Sequence, residues 1–176
     1  MAGRAFAAAI LIACMVITSR ETSAHASNAT LANTDPDNGF LEAMTGDWSM
    51  EGITLGKPTH YALHSEHVLA GGFVRLQMRD KAVPSQYQAD FYLGFDQKKN
   101  DFIGHWLDQF GAAGARVVGE GQRDGNTLVL LFPYAEGTLR VTFTYDPGKR
   151  TWDWLLESHQ KDGTWSTFAK YHLTKS

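Results

Sequence analysis

From Asp47 to Leu173 apolar and polar residues alternate with a period of two, broken at intervals by turn-forming side chains. Leu139, Val141, Phe143 and Tyr145 alternate with Arg140, Thr142 and Thr144, and Leu128, Leu130 and Phe132 with Thr127, Val129 and Leu131. Successive side chains of a strand point to opposite faces, so these segments read as strands with one buried face. The turn signals are Asp80-Lys81 with Pro84, Asp96 to Asn100, Asp124-Gly125-Asn126, Asp146-Pro147-Gly148 and Asp162-Gly163, with Gly71-Gly72 as a further tight turn or bulge. They delimit about ten strands, at 47–54, 58–68, 73–80, 87–95, 101–109, 115–122, 127–132, 138–145, 151–157 and 164–173. Upstream, Phe40, Leu41 and Met44 recur at helical spacing, enough for one or two amphipathic turns.

No long helix separates the strands, so neighbours in sequence are expected to pair as consecutive antiparallel hairpins. Such a meander removes its exposed edges by closing on itself. The expected fold is therefore all-β: an antiparallel up-and-down barrel of about ten strands, capped by a short N-terminal helix. A two-sheet sandwich is the alternative.

The N-terminus has a different character. Arg4 precedes an apolar run from Ala5 to Ile17, too short for the roughly 20 residues of a membrane-spanning helix. Ala24 and Ala26 place small side chains at the −3 and −1 positions of a signal-peptidase site. The reading is a cleaved export signal over 1–26, a polar flexible leader over 27–38 and one barrel domain over 39–176, secreted or periplasmic. Leu11-Ile12-Ala13-Cys14 resembles the lipobox of bacterial lipoproteins, which makes a lipid anchor at Cys14 the alternative.

Cys14 is the only cysteine, so cleavage after Ala26 would leave neither disulfide nor thiolate chemistry. The chain is 43% hydrophobic and 20% charged, ordinary values for a globular protein. A formal net charge of −3 excludes a strongly basic nucleic-acid binder. Loss of Arg4, Arg20 and Glu21 with the signal makes the remainder more acidic, which favours neither nucleic acid nor anionic lipid as a partner.

Gly46-Asp47-Trp48, opening the first strand after the short helix, resembles the Gly-x-Trp start of calycin barrels, the lipocalins, fatty-acid-binding proteins and nitrobindins. Leu69-Ala-Gly-Gly-Phe-Val-Arg-Leu76, Gly94-Phe-Asp96 and Trp106-Leu-Asp108 are more closely similar to a bacterial family, domain of unknown function 1579, over roughly residues 40–173. The resemblance implies a calycin-like barrel with an internal cavity; it implies no reaction.

A barrel of about ten strands is expected to enclose more room than small side chains fill. Trp48, Tyr92, Phe102, Trp106, Phe143, Trp152, Trp154 and Trp165 are the candidate lining, suited to a small hydrophobic or amphiphilic ligand. Packing of a core, or of a homodimer contact, is the alternative use of these aromatics. Arg75, Tyr92, His105, Trp106 and Asp108 are the candidate polar anchors. Arg75 would hold a carboxylate bidentately, as the resemblance to fatty-acid-binding barrels suggests. Alternation places Arg140 on the wet outer face, and Asp90 and Glu157 are further candidate acids.

Parity divides the fifth strand. Phe102, Trp106 and Phe110 share one face, Ile103, His105 and Leu107 the other, and the sequence does not say which turns inward. His105 with Asp108 is the candidate acid–base pair if the barrel is an enzyme. In nitrobindin-like barrels a histidine late in the last strand ligates haem iron; His172 lies in a similar place, so haem b is the alternative cofactor to none. Gly46-Asp-Trp-Ser-Met-Glu-Gly52 departs from the Gly-x-Trp-x-Gly-x-Gly start of that family. On a strand, His60, His64 and Glu66 share one face while His67 takes the other, an incomplete set for a metal, and none is expected. Gly-x-Ser-x-Gly, His-Glu-x-x-His, phosphate-loop and dinucleotide-binding motifs are absent, so binding rather than turnover is the leading reading.

Overall fold

The computed structural model describes residues 36–176. A helix, α1 (Pro36–Met44), precedes ten strands: β1 (Gly46–Thr54), β2 (Lys57–Val68), β3 (Phe73–Asp80), β4 (Gln88–Asp96), β5 (Asp101–Asp108), β6 (Val118–Asp124), β7 (Thr127–Tyr134), β8 (Gly137–Asp146), β9 (Thr151–His159) and β10 (Trp165–Lys175). Each strand pairs antiparallel with its neighbours in sequence, and β10 pairs with β1 to close the barrel. Closure leaves every strand with two partners, so no strand edge is left to template aggregation.

The turn aspartates act through their side chains. Asp96 accepts the backbone N–H of Lys98 and Lys99, Asp146 those of Gly148 and Lys149, and Asp162 that of Thr164. These bonds satisfy amides that the tight turns leave outside the ladder. Most expected boundaries move by one or two residues, and two starts move by three or more. Strand β6 begins at Val118 rather than 115, because Gly114–Arg116 forms a single 3₁₀ turn. Helix α1 begins at Pro36, one turn ahead of Phe40, the first of its expected apolar residues. Proline has no N–H to lose in a first turn, and Asp37 complements the positive helix end while Arg123 Nε donates to it at 2.6 Å. The export signal, the lipid anchor at Cys14 and most of the leader lie outside the described residues. No helix among the described residues is long and apolar enough to cross a membrane.

Helix α1 stoppers one end of the barrel. Phe40 packs edge-on against Trp152 at 5.0 Å and Phe102 at 5.9 Å between ring centroids. The indoles of Trp48 and Trp152 donate to the carbonyls of Met44 (2.9 Å) and Ala43 (3.3 Å), which the last turn of a helix leaves unpaired. His67, at the end of β2, bonds Glu42 at 2.8 Å. The opposite end, where β1, β3, β5, β7 and β9 finish, has no such plug among the described residues and forms the mouth.

The middle of the barrel is filled. Trp48, Phe102, Phe143, Trp152 and Trp154 are buried, and Trp106 packs against them; these six of the eight candidate lining residues are on the inner face. Tyr92 and Trp165, expected with them, fall on the outer face, Tyr92 by the alternation of β4 and Trp165 because the β-bulge between Thr167 and Ala169 shifts the phase of β10. Phe91 of β4 and Phe143 of β8, four strands apart around the wall, stack at 5.8 Å. Gly104 and Gly119 face each other across β5 and β6. A Cβ on Gly104 would lie 2.6 Å from Phe91, and one on Gly119 2.4 Å from Phe132. The two glycines remove wall side chains where the aromatics need the volume. At this level aromatic rings take up the room that a barrel of ten strands encloses.

Candidate functional site

Above the Phe91 and Phe143 rings the inner wall changes character, from apolar to aromatic with hydroxyls and one carboxylate. Phe102, Gly104, Trp106 and Asp108 take the inner face of β5, so Trp106 and Asp108 look into the mouth. Tyr87 enters just ahead of β4, Tyr61 from β2, Tyr134 from the end of β7 and Tyr171 from β10. Tyr61 sits edge-on to Tyr87 at 6.0 Å and to Tyr171 at 5.8 Å.

A hydrogen-bonded chain runs through this group. Trp106 Nε1 donates to the Tyr87 oxygen at 3.0 Å, and the Tyr87 hydroxyl donates to Asp108 Oδ2 at 3.4 Å. Asp108 Oδ1 accepts the backbone N–H of Phe110 at 3.0 Å, which turns the β5–β6 loop over the mouth. No lysine, arginine or histidine among the described residues forms an ion pair with Asp108. Burial, reinforced by the charge of Asp108, pushes the Tyr87 phenol above its ordinary range, and the same two causes raise Tyr134. Both phenols are therefore neutral donors at physiological pH. Burial likewise pushes Tyr171 up to about 12, opposed by its 2.7 Å bond with Thr54.

The candidate anchors separate into two groups. Trp106 and Asp108 are inside; Arg75, Tyr92 and His105 occupy outward positions on β3, β4 and β5. Arg75 is engaged there by Glu66 and Tyr92. The His105 ring bonds the Ala115 carbonyl through Nε2 at 2.7 Å, holding the β5–β6 loop to the outer wall. His105 and Asp108 are on opposite faces of the sheet, so they form no acid–base pair. Asp90 and Glu157 also face out, paired with Arg79 (2.7 Å) and Arg140 (2.7 Å). Tyr87, Tyr61 and Tyr171 were missed as site residues; their inward parity with Ala89, Leu63 and Leu173 was the available signal.

His172 does not fit a lumen-bound haem. It alternates with the inward Tyr171 and Leu173, lies on the outer wall, and its Nδ1 bonds Asp153 at 2.8 Å. His60 and His64 also face out, each with its own acid, Glu51 (3.4 Å) and Asp47 (2.7 Å). Among the described residues no three His, Cys, Asp or Glu side chains come together as a metal site.

On the far side of the mouth, Glu136, Gly137, Ser158, His159, Lys161 and Asp162 border an open hollow of about 500 Å³. It is solvent-facing and bordered by charged side chains, in contrast to the aromatic side around Trp106.

A family model described as "Protein of unknown function (DUF1579)" matches residues 34–175, and the chain belongs to that family. Comparison with the curated proteins finds no match. Among solved structures the chain is similar to the crystal structure of Rv2717c from M. tuberculosis, with 15% identity and a TM-score of 0.55 over 80% of this chain and 98% of that one. At that identity the likeness speaks for the barrel fold alone.

Proposed function

We propose that this member of the DUF1579 family binds a small amphiphilic molecule at the mouth of the barrel, its apolar part against Trp106, Tyr87 and Phe110 and its polar end on Asp108. The observation that carries this reading is a half-buried carboxylate among aromatic rings with no cationic partner among the described residues. A carboxylate so placed loses hydration and recovers it incompletely from two hydrogen bonds, so a donor or a positive charge on a ligand would complete its shell. Filled rings at the level of Phe91 and Phe143 confine such a ligand to the mouth, short of the stoppered end.

Neutral Tyr87 suits this role, since it presents Asp108 with a donor and draws on Trp106 for its own oxygen. Turnover finds less support, because the pair expected to move protons is divided by the sheet. The test is a calorimetric titration with a medium-chain alkylammonium and with the alkyl sulfate of the same length. Stronger binding of the ammonium, weakened about tenfold by Asp108→Asn, is the expected result. Equal binding of both probes, unaffected by Asp108→Asn, would overturn the assignment.

A further inference from the structure

The loops around the mouth are not alike. Three successive ones, β1–β2, β3–β4 and β5–β6, carry the large exposed apolar residues of that end: Leu55 at 69% exposure, Val83 at 98% and Phe110 at 77%, with Ile53 at 53% just below the first tip. Cyclic strand order makes these three tips neighbours along one arc of the rim. The loops themselves, Leu55-Gly56, Lys81-Ala-Val-Pro-Ser-Gln86 and Gln109-Phe-Gly-Ala-Ala-Gly-Ala-Arg-Val117, contain no acidic residue and two basic ones, Lys81 and Arg116, to which Lys57, the first residue of β2, adds a third. Lys81 leans back onto Ser49 and His60 at 3.2 and 3.1 Å, while Lys57 and Arg116 are exposed and make no ion pair among the described residues.

The neighbouring acids are engaged or turned elsewhere. Asp80 accepts the backbone N–H of Ala82 and Gln86, Asp108 faces the mouth, and Glu136 and Asp162 stand on the opposite arc. A chain of net charge −3 thus presents one local arc that is apolar and basic. Separated apolar side chains on protruding tips, flanked by lysine and arginine, match the chemistry of a bilayer interface, where the tips enter the headgroup layer and the cations meet anionic lipids. A protein partner of standard interface size would call for a broader, continuous patch. We infer that the β1–β2, β3–β4 and β5–β6 tips form a docking face for an anionic membrane surface, on which the barrel mouth opens. This stands on the loops alone and does not depend on the ligand assigned to Asp108.

Co-sedimentation with vesicles of phosphatidylcholine, with and without 30% phosphatidylglycerol, tests it. The expected result is a preference for the anionic vesicles that falls between 50 and 500 mM salt. Val83→Asp with Phe110→Asp should weaken binding at least tenfold, and Lys57→Glu with Arg116→Glu about tenfold. All four positions are exposed, so the variants keep the fold, and Leu131→Asp on the outer wall of β7 is a control that leaves binding unchanged. The apolar Ala5–Ile17 run is common to every variant, so differences between them report the rim. Equal vesicle binding by all variants overturns the inference, and so does a dimer of the wild type, seen by light scattering, that Phe110→Asp dissociates.

Discussion

The hydroxyl of Tyr87 donates to Asp108 across 3.4 Å while its oxygen accepts from Trp106, so three residues from two strand ends behave as one polar unit inside an aromatic mouth. Removing the middle member tests the unit. Tyr87→Phe leaves Trp106 Nε1 and Asp108 each short of a partner, and should cost about 1–2 kcal/mol of stability in urea unfolding. Binding of the alkylammonium should fall in parallel, because Asp108 loses the donor that orients it.

His105 makes the contrasting prediction. His105→Ala should leave ligand affinity unchanged, since its ring is on the outer wall. It should speed amide hydrogen exchange in residues 109–117, whose loop the Ala115 bond tethers, at a cost of about 1 kcal/mol.

Packing of the middle of the barrel is tested by its glycines. Gly119→Ala pushes a methyl group to within 2.4 Å of Phe132, and Gly104→Ala one to within 2.6 Å of Phe91. Each should destabilise by about 1–3 kcal/mol, read as a lowered midpoint of thermal unfolding. A hollow lumen would let the rings move aside and leave the midpoint in place.

The stopper helix depends on Phe40. Phe40→Ala removes edge contacts with Phe102 and Trp152 and should cost about 3–5 kcal/mol. Trp152 fluorescence should shift to longer wavelength as water reaches the ring.

At high pH the buried phenols set the limit of stability. Tyr171 is pushed up to about 12 by burial, and Tyr87 and Tyr134 are raised too. In the unfolded chain these tyrosines ionise near 10, so the unfolded state loses protons first and stability declines as pH rises from about 10 toward 12. Their full contribution is present below pH 10. Tyr171→Phe should flatten that decline, and an absorbance titration should lose a late-ionising phenol in that variant.

By itself the sequence determined the ten strands, their antiparallel order, the closed barrel and the helix at its base, because period-two alternation and turn chemistry are local properties. Alternation also assigned the phase of β8, where Leu139, Val141 and Phe143 make one face apolar and Arg140, Thr142 and Thr144 make the other polar. It failed on β5, whose two faces, Phe102 with Trp106 and Ile103 with Leu107, are equally apolar. There only the tertiary structure decided, since Gly104 must turn inward to admit Phe91 and Leu130, and that choice takes Asp108 into the mouth and His105 out of it. The filled lumen was hidden for a related reason: occupancy depends on rings meeting across four strands, as Phe91 meets Phe143. The rim was hidden as well, because Leu55, Val83 and Phe110 are distant in sequence and become one surface only when the barrel closes and brings their tips to the same end.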